Sequence, residues 1–347
     1  MPKRIVIKIG TNVLTEKLIG LNTTIIKQLT KQIAELHKNK HEIIIITSGA
    51  IGAGALELKT KKTRELKTQQ ALAAIGQSMV MRHYHDAFSQ HNINVAQILV
   101  TYEDFSDRNK YLNLRNTINK LLELNVIPII NENDPISTKE IGTNFGDNDK
   151  MSALVASKVN ADTLLMLSDI DGLYDKNPKT NKDAKLIRNV TKITKEIEKA
   201  AGKSGSAFAI GGMLTKIKAA KIAMQSGFEM VIANGTKKEA IKNALTGQAG
   251  THFTPAAKLS AKQRFIKFAK ERGKIKINEC AHDILKEGKV SLLAIGIDSV
   301  EGNFKKNDIV KINNIAKGVV DYNADEVKAL KGKRNKVIIK SENIVLV

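Results

Sequence analysis

The chain has 347 residues, 56 Lys and Arg against 35 Asp and Glu, and a net charge of +21. Its 42% hydrophobic and 26% charged residues exclude a disordered chain, and its length exceeds what one hydrophobic core usually organises, so two domains are expected. One cysteine, Cys280, excludes an internal disulfide, no apolar run reaches 18 residues, and Lys8 interrupts what would be a signal-peptide core, so a cytoplasmic protein is expected.

Apolar runs of strand length recur at Ile5–Ile9, Ile43–Thr47, Val95–Val100, Val126–Ile130, Leu164–Leu167 and Met230–Ala233. Most are continuous rather than alternating, which suits parallel strands buried on both faces. Helical spacing lies between them: Ile25, Leu29, Ile33 and Leu36, then Ile118, Leu121 and Leu122, then Met151, Leu154 and Val155, then Ile217, Ala220, Ile222 and Met224. This alternation predicts a doubly wound α/β sheet, whose ligands sit at the carboxyl ends of the strands. The texture changes after Pro255. Lys258–Lys276 is basic and helix-like, with eight cations and one acid, and then short strands such as Val290–Ala294, Ile309–Ile312, Gly318–Val320 and Val337–Ile339 are separated by turn residues. A domain over 1–255, a basic linker over 256–273 and a small β-rich domain over 274–347 are expected. Only nine of the 56 cations are Arg and aromatics are 4%, so the positive charge reads first as a lysine-rich solvated surface rather than a nucleic-acid footprint.

The chemistry gathers at the predicted strand ends. Lys8, near the end of the first strand, is costly to bury unless an anion meets it, and as a solvated edge lysine it would carry no chemistry. The second strand runs into Thr47-Ser48-Gly49-Ala50-Ile51-Gly52, whose small residues leave backbone N–H groups free at a strand-to-helix turn; a tight structural turn would need the same glycines. The fourth ends in Asn131-Glu132-Asn133-Asp134, and Gly146-Asp147-Asn148-Asp149 opens a helix. An N-cap explains one of those acids but not the cluster. The fifth ends in Ser168-Asp169-Ile170-Asp171, and Gly211-Gly212-Met213-Leu214-Thr215-Lys216 opens a helix suited to phosphate oxygens. The spacing matches neither the Walker nor the dinucleotide pattern, the seven histidines form no zinc motif, and Cys280 reads as a small buried side chain. Lysines, oxygen-rich strand ends and glycine turns together fit phosphoryl transfer.

In this order and spacing VIKIGTNVLT (6–15), TSGA (47–50), IINEND (129–134), GDND (146–149), SDIDGLY (168–174) and GGMLTK (211–216) resemble the amino acid kinase family, over about residues 1–255. GIDSVEGNF (296–304) and GVVDYN (318–323) resemble a PUA domain, an RNA-binding-type β module. The resemblance implies an open three-layer α/β sandwich with a mainly parallel central sheet, plus the small C-terminal β-rich domain. It also implies ATP- and Mg²⁺-dependent phosphorylation of the L-glutamate side-chain carboxylate to L-glutamyl 5-phosphate, which begins proline biosynthesis. The alternatives are another member of the family, such as an acetylglutamate kinase, or an RNA-binding protein. By the same resemblance, Lys8 and Lys216 would flank the moving phosphoryl group and Asp149 would orient them, while the N–H groups of Gly10 and Gly49 would face the phosphates and reacting carboxylate. Ser48, Asp134 and Asn148 would hold glutamate. Ser168, Asp169, Ile210, Gly211, Gly212, Met213, Leu214 and Thr215, with Lys8 and Lys216, would contact ATP. No protein metal ligand is implied; a homo-oligomer (dimer or tetramer) and proline as feedback inhibitor are. Ala209-Ile210 stands where the family usually has Gly-Thr, and Ser168 replaces a Thr.

Overall fold

A computed structural model describes residues 2–16, 20–60, 65–105, 107–137, 148–178, 180–202, 212–255, 259–288 and 290–346. The chain divides into two compact units, Met1–Lys258 and Leu259–Val347.

The first unit is built on an eight-stranded sheet: β1 (Arg4–Ile9), β2 (Glu42–Ile46), β3 (Val95–Val100), β4 (Ile127–Glu132), β5 (Thr163–Ser168), β6 (Asn189–Val190), β7 (Glu229–Asn234) and β8 (Thr251–Phe253). Their order is β3-β4-β2-β1-β5-β7-β8-β6, and every pair is parallel except β7–β8. In β1, β2, β4, β5 and β7 the apolar runs are buried on both faces, as parallel strands under helices require, whereas the edge strand β3 is only partly buried. On one face Ile5, Ile7, Ile43, Ile45, Ile129 and Leu165 pack with helices α1 (Thr23–Lys38), α2 (Ala50–Glu57) and α3 (Leu66–Ser89). Alternate residues point to the other face, where Val6, Ile44, Leu164 and Met230 are fully buried. There the sheet meets α4 (Arg108–Glu123), α5 (Asn148–Lys158) and, beyond the short α6 (Lys195–Gly202), α7 (Gly212–Ser226). This is the three-layer sandwich expected. The sequence reading overlooked β6 and β8, which at two and three residues are too short to leave a periodic signal.

Because the strands are parallel, their carboxyl ends line one edge, and Lys8 pairs in register with Ile46 of β2 and Met166 of β5. Behind this edge α2 and α3 cross at two glycines. A Cβ on Gly76 would lie 1.9 Å from the Ala50 carbonyl oxygen, and one on Gly54 would lie 2.0 Å from the Leu72 carbonyl oxygen. Only hydrogen at both positions permits so close a crossing, and it fixes Ala50, the first residue of α2. Gly76→Ala is therefore expected to destabilise by about 1–3 kcal/mol, as overpacking does, and to lower turnover by displacing the Ser48–Ala50 turn. Thermal unfolding beside an activity assay checks this; a wild-type midpoint would mean that the helices part freely.

The second unit carries a five-stranded sheet of β9 (Gly273–Ile277), β10 (Ile297–Gly302), β11 (Ile309–Ile312), β12 (Ala316–Val319) and β13 (Ile344–Leu346), in the order β10-β9-β11-β12-β13. Ile275, Val310, Ile312, Ala316, Phe304, Val327 and Ile339 form its core. The basic segment expected as a linker is instead part of this unit. Its helix Ala261–Phe268 packs on β12 and β13, and Lys317 donates to the Ala269 carbonyl and pairs with Glu271 at 2.9 Å. The segment is also not one helix, since Lys274 and Lys276 lie on β9. Cys280, expected to be buried, is exposed. Among the described residues no helix is long and apolar enough to cross a membrane.

Candidate active site

Asp149, the second residue of α5, is wholly buried, and both of its carboxylate oxygens are taken by ammonium groups. Lys8 Nζ donates to Oδ1 at 2.7 Å, and Lys216 Nζ donates to Oδ2 at 3.0 Å. Thr215 Oγ1 also donates to Oδ2, at 3.0 Å, and Lys216 Nζ reaches the Gly212 carbonyl at 3.1 Å. Each element contributes for a local reason. Lys8 faces α5 and α7 because it alternates with the inward-facing Ile7 and Ile9. Asp149 sits in the first turn of its helix, where the dipole favours a carboxylate. Lys216 lies one turn into α7, on the face that carries the buried Ile217 and Ala220.

Lys8 and Lys216 are 6% and 8% exposed. Among the described residues, two buried ammonium groups against one carboxylate leave a surplus positive charge in a poorly solvated place, a setting suited to an anion. The charge-assisted bonds to Asp149 hold both nitrogens beside one another. The arrangement can take the oxygens of a phosphoryl group between two cations.

Beside it a second, amide-based group closes the ends of β2 and β4. Asn148 Nδ2 donates to the Thr47 carbonyl at 2.8 Å and to Asn131 Oδ1 at 3.1 Å, and Asn131 Nδ2 donates to Gln77 Oε1 at 2.7 Å. Ser48 Oγ donates to the Ile9 carbonyl at 3.0 Å, so its remaining capacity is that of an acceptor. Asp134 is half-buried in the turn that follows β4, at the same edge of the sheet. Ser168, 7% exposed, donates to Asp169 Oδ1, and Asn12 Nδ2 donates to Asp169 Oδ2 at 3.0 Å.

Gly10 corrects one expectation. Its N–H donates to the Leu167 carbonyl at 3.0 Å, because the β1–β5 ladder continues one residue past the strand, so it is not free for a phosphate. What the glycine supplies is room: a Cβ there would lie 3.1 Å from that carbonyl oxygen and 3.6 Å from Lys8 Nζ. Gly49 caps α2 with φ of +93°, a left-handed conformation that side chains resist. Gly212, Met213, Leu214 and Thr215 form the first turn of α7, with Gly212 exposed and the other three half-buried. Ile210 and Gly211 lie outside the described residues, as does the Gly146-Asp147 pair. Among the described residues no group of three or more His, Cys, Asp or Glu side chains could hold a metal ion.

Three residues escaped the sequence reading. Asn12 lies within the 6–15 segment but carried no assigned role, and Gln77 sits within a helix whose pattern gave no reason to single it out. Asn234 donates to Asp171 Oδ1 at 2.8 Å and accepts from Thr236; the polar end of β7 was the available signal.

Residues 3–234 match the amino acid kinase family, and residues 273–341 match the PUA domain. Curated relatives include a glutamate 5-kinase of Methanosarcina barkeri, 46% identical over 343 residues, covering 95% of this chain and 89% of that protein. A glutamate 5-kinase of Caldanaerobacter subterraneus is 44% identical over 339 residues, covering 95% of this chain and 90% of its own length. Among solved structures, a carbamate kinase from Giardia lamblia bound to AMP-PNP covers 73% of this chain and 99% of its own, with a TM-score of 0.53 at 19% identity. An isopentenyl phosphate kinase covers 72% and 100%, with a TM-score of 0.51 at 19% identity. At such identities the two structures speak for the fold alone.

Proposed function

The chain belongs to the amino acid kinase family, and from that premise we propose that it transfers the γ-phosphoryl group of ATP to the side-chain carboxylate of L-glutamate, giving L-glutamyl 5-phosphate and ADP. This is the chemistry that opens proline biosynthesis. Near-full-length likeness to glutamate 5-kinases supports the substrate, and the single observation that carries the mechanism is the Lys8–Asp149–Lys216 cluster.

The acceptor carboxylate is already ionised near neutral pH, so no general base is needed. One of its oxygens forms a bond to the γ-phosphorus while the bond to the β,γ-bridging oxygen breaks, and ADP carries away the electron pair. The charge spread over the moving phosphoryl oxygens is met by Lys8 and Lys216, held in place by Asp149. The first-turn N–H groups of α2, from Gly49 onward, lack intrahelical acceptors and face negative charge. ATP is held by Ser168, Asp169 and the start of α7 from Gly212 to Lys216. Among the described residues a Cβ on Gly212 would meet nothing within 4 Å, which leaves room there for the close approach of a phosphate. Mg²⁺ would be carried by the nucleotide phosphates, which Ser168, Asp169 and the start of α7 would hold, rather than by a set of protein ligands, none being present among the described residues. It would supply charge neutralisation of the phosphates.

Ser48, Asn148 and Asp134 hold the amino acid. Asp134 suits the α-ammonium, which an N-acylated substrate lacks. Asp134→Ala is expected to raise the KM for L-glutamate by roughly 10- to 100-fold, the factor of a lost charge-assisted bond, with the KM for ATP little changed. An unaltered glutamate KM would remove Asp134 from the site. The function as a whole is tested by ADP release with ATP and Mg²⁺: dependence on L-glutamate, and silence with N-acetyl-L-glutamate and L-aspartate, is the expected pattern. Turnover with the acetylated acid instead would reassign the substrate.

In the second unit Lys274, Lys311 and Lys317 stand opposite one another on three adjacent strands. Lys317 is already paired with Glu271, so RNA as a further partner rests on the likeness of this unit to the PUA domain and on the facing Lys274 and Lys311, which an anion would relieve. A cytoplasmic homo-oligomer with proline competing at the glutamate site completes the reading.

A further inference from the structure

Gln77 lies on α3, outside the residues assigned to substrate. It is 8% exposed, and the Asn131 that it touches is 2% exposed. Its Oε1 accepts from Asn131, but its Nε2 is buried with no hydrogen-bond partner among the described residues. An unpaired buried donor is a cost that an aliphatic side chain of similar volume would avoid. Packing alone therefore does not favour glutamine here, and the reason must lie in what Oε1 does.

The hydrogen bonds run in one direction. Both N–H groups of Asn148 are used, on the Thr47 carbonyl and on Asn131 Oδ1. Asn131 can offer Oδ1 to Asn148 only if its own NH₂ is turned away, and Gln77 Oε1 receives it there. The Thr47 end is fixed independently: its N–H donates to the Ile130 carbonyl, and its hydroxyl meets Tyr84, seven residues after Gln77 on α3, at 3.1 Å. Among the described residues Asn148 is left with one unused atom, Oδ1, which can only accept. That acceptor, on a side chain bonded to Thr47, and the neighbouring Ser48 Oγ, itself restricted to accepting, suit an ammonium group and not a carboxylate.

We infer that Gln77 is a positioning residue for the acceptor amino acid: through Asn131 it sets the amide of Asn148 so that Oδ1 faces the substrate α-ammonium. The inference rests on the amino-acid kinase reading above and names a determinant of that same site.

The test is steady-state kinetics on the full-length enzyme, with L-glutamate and ATP varied in turn. Gln77→Leu is expected to raise the glutamate KM by roughly 10-fold, the factor of one lost hydrogen bond to a charged group. The ATP KM and kcat should stay within about twofold of wild type, because the Lys8–Asp149–Lys216 cluster is untouched; a merely structural role would move all three. Gln77→Met, closer in shape, carries the same test should the leucine variant fail to fold. Since Gln77 acts through Asn131, the double variant Gln77→Leu/Asn131→Ala should raise the glutamate KM no further than Asn131→Ala alone. An unchanged glutamate KM, a parallel change in the ATP KM, or additive effects in the double variant would overturn the inference while wild-type turnover leaves the function standing. Wild-type enzyme that fails to turn over L-glutamate at all would overturn both.

Discussion

Lys216→Ala should lower kcat by roughly 10²–10³, the usual loss when one pre-placed donor to a developing charge is removed. The ammonium of Lys216 is one of the two cations that the fold holds against a single carboxylate, so its loss halves the positive charge available to the phosphoryl oxygens. The KM values should move little, since the interaction matters most when charge builds in the transition state. The fold should survive: the remaining Lys8–Asp149 pair is then electrically balanced, and alanine is a good helix residue at this position in α7. Turnover close to wild type in a folded variant would take Lys216 out of the reaction.

Asp149→Asn should be more damaging. The amide oxygen can accept from one lysine, but its NH₂ then faces the other ammonium, donor against cation. Two buried ammonium groups would lose their shared counter-charge, and breaking a buried pair by removing one partner typically costs about 3–5 kcal/mol. Turnover should fall by roughly 10³ or more, since both lysines lose their orientation along with Asp149. A second signature separates this from general damage: added sulfate should raise the unfolding midpoint of the variant more than that of wild type, by entering the place where charge is now uncompensated. Equal responses to sulfate would mean that the two ammonium groups do not converge there.

The two effects differ because sequence position and spatial role differ. Lys8, Asp149 and Lys216 were legible singly, as a lysine on an apolar strand, an acid at a helix start and a lysine after paired glycines. Their convergence was not, for 141 residues separate Lys8 from Asp149 and 67 separate Asp149 from Lys216; only the family resemblance linked them. The parallel sheet was readable because strands buried on both faces need unbroken apolar runs. The free Gly10 amide was expected because nothing in a sequence says how far a ladder runs, and the β5 neighbour takes that donor. Gln77 was missed for a related reason. It stands on the buried face of α3 with Leu72, Ala73, Gly76 and Val80, and one polar side chain in such a row becomes informative only once its partner on β4 is known. Cys280 was assigned to the interior by the habit of its residue type, whereas its place near the start of the amphipathic helix Glu279–Glu287 exposes it.

The central claim is that the product is an acyl phosphate on the glutamate side chain, and trapping it is the most direct measurement. Purified enzyme with ATP, Mg²⁺, L-glutamate and hydroxylamine should yield the γ-hydroxamate in step with ADP, because hydroxylamine attacks the activated carbonyl and releases phosphate. Glutamate-dependent ADP with no hydroxamate, or with the hydroxamate on the α-carboxylate, would contradict the account.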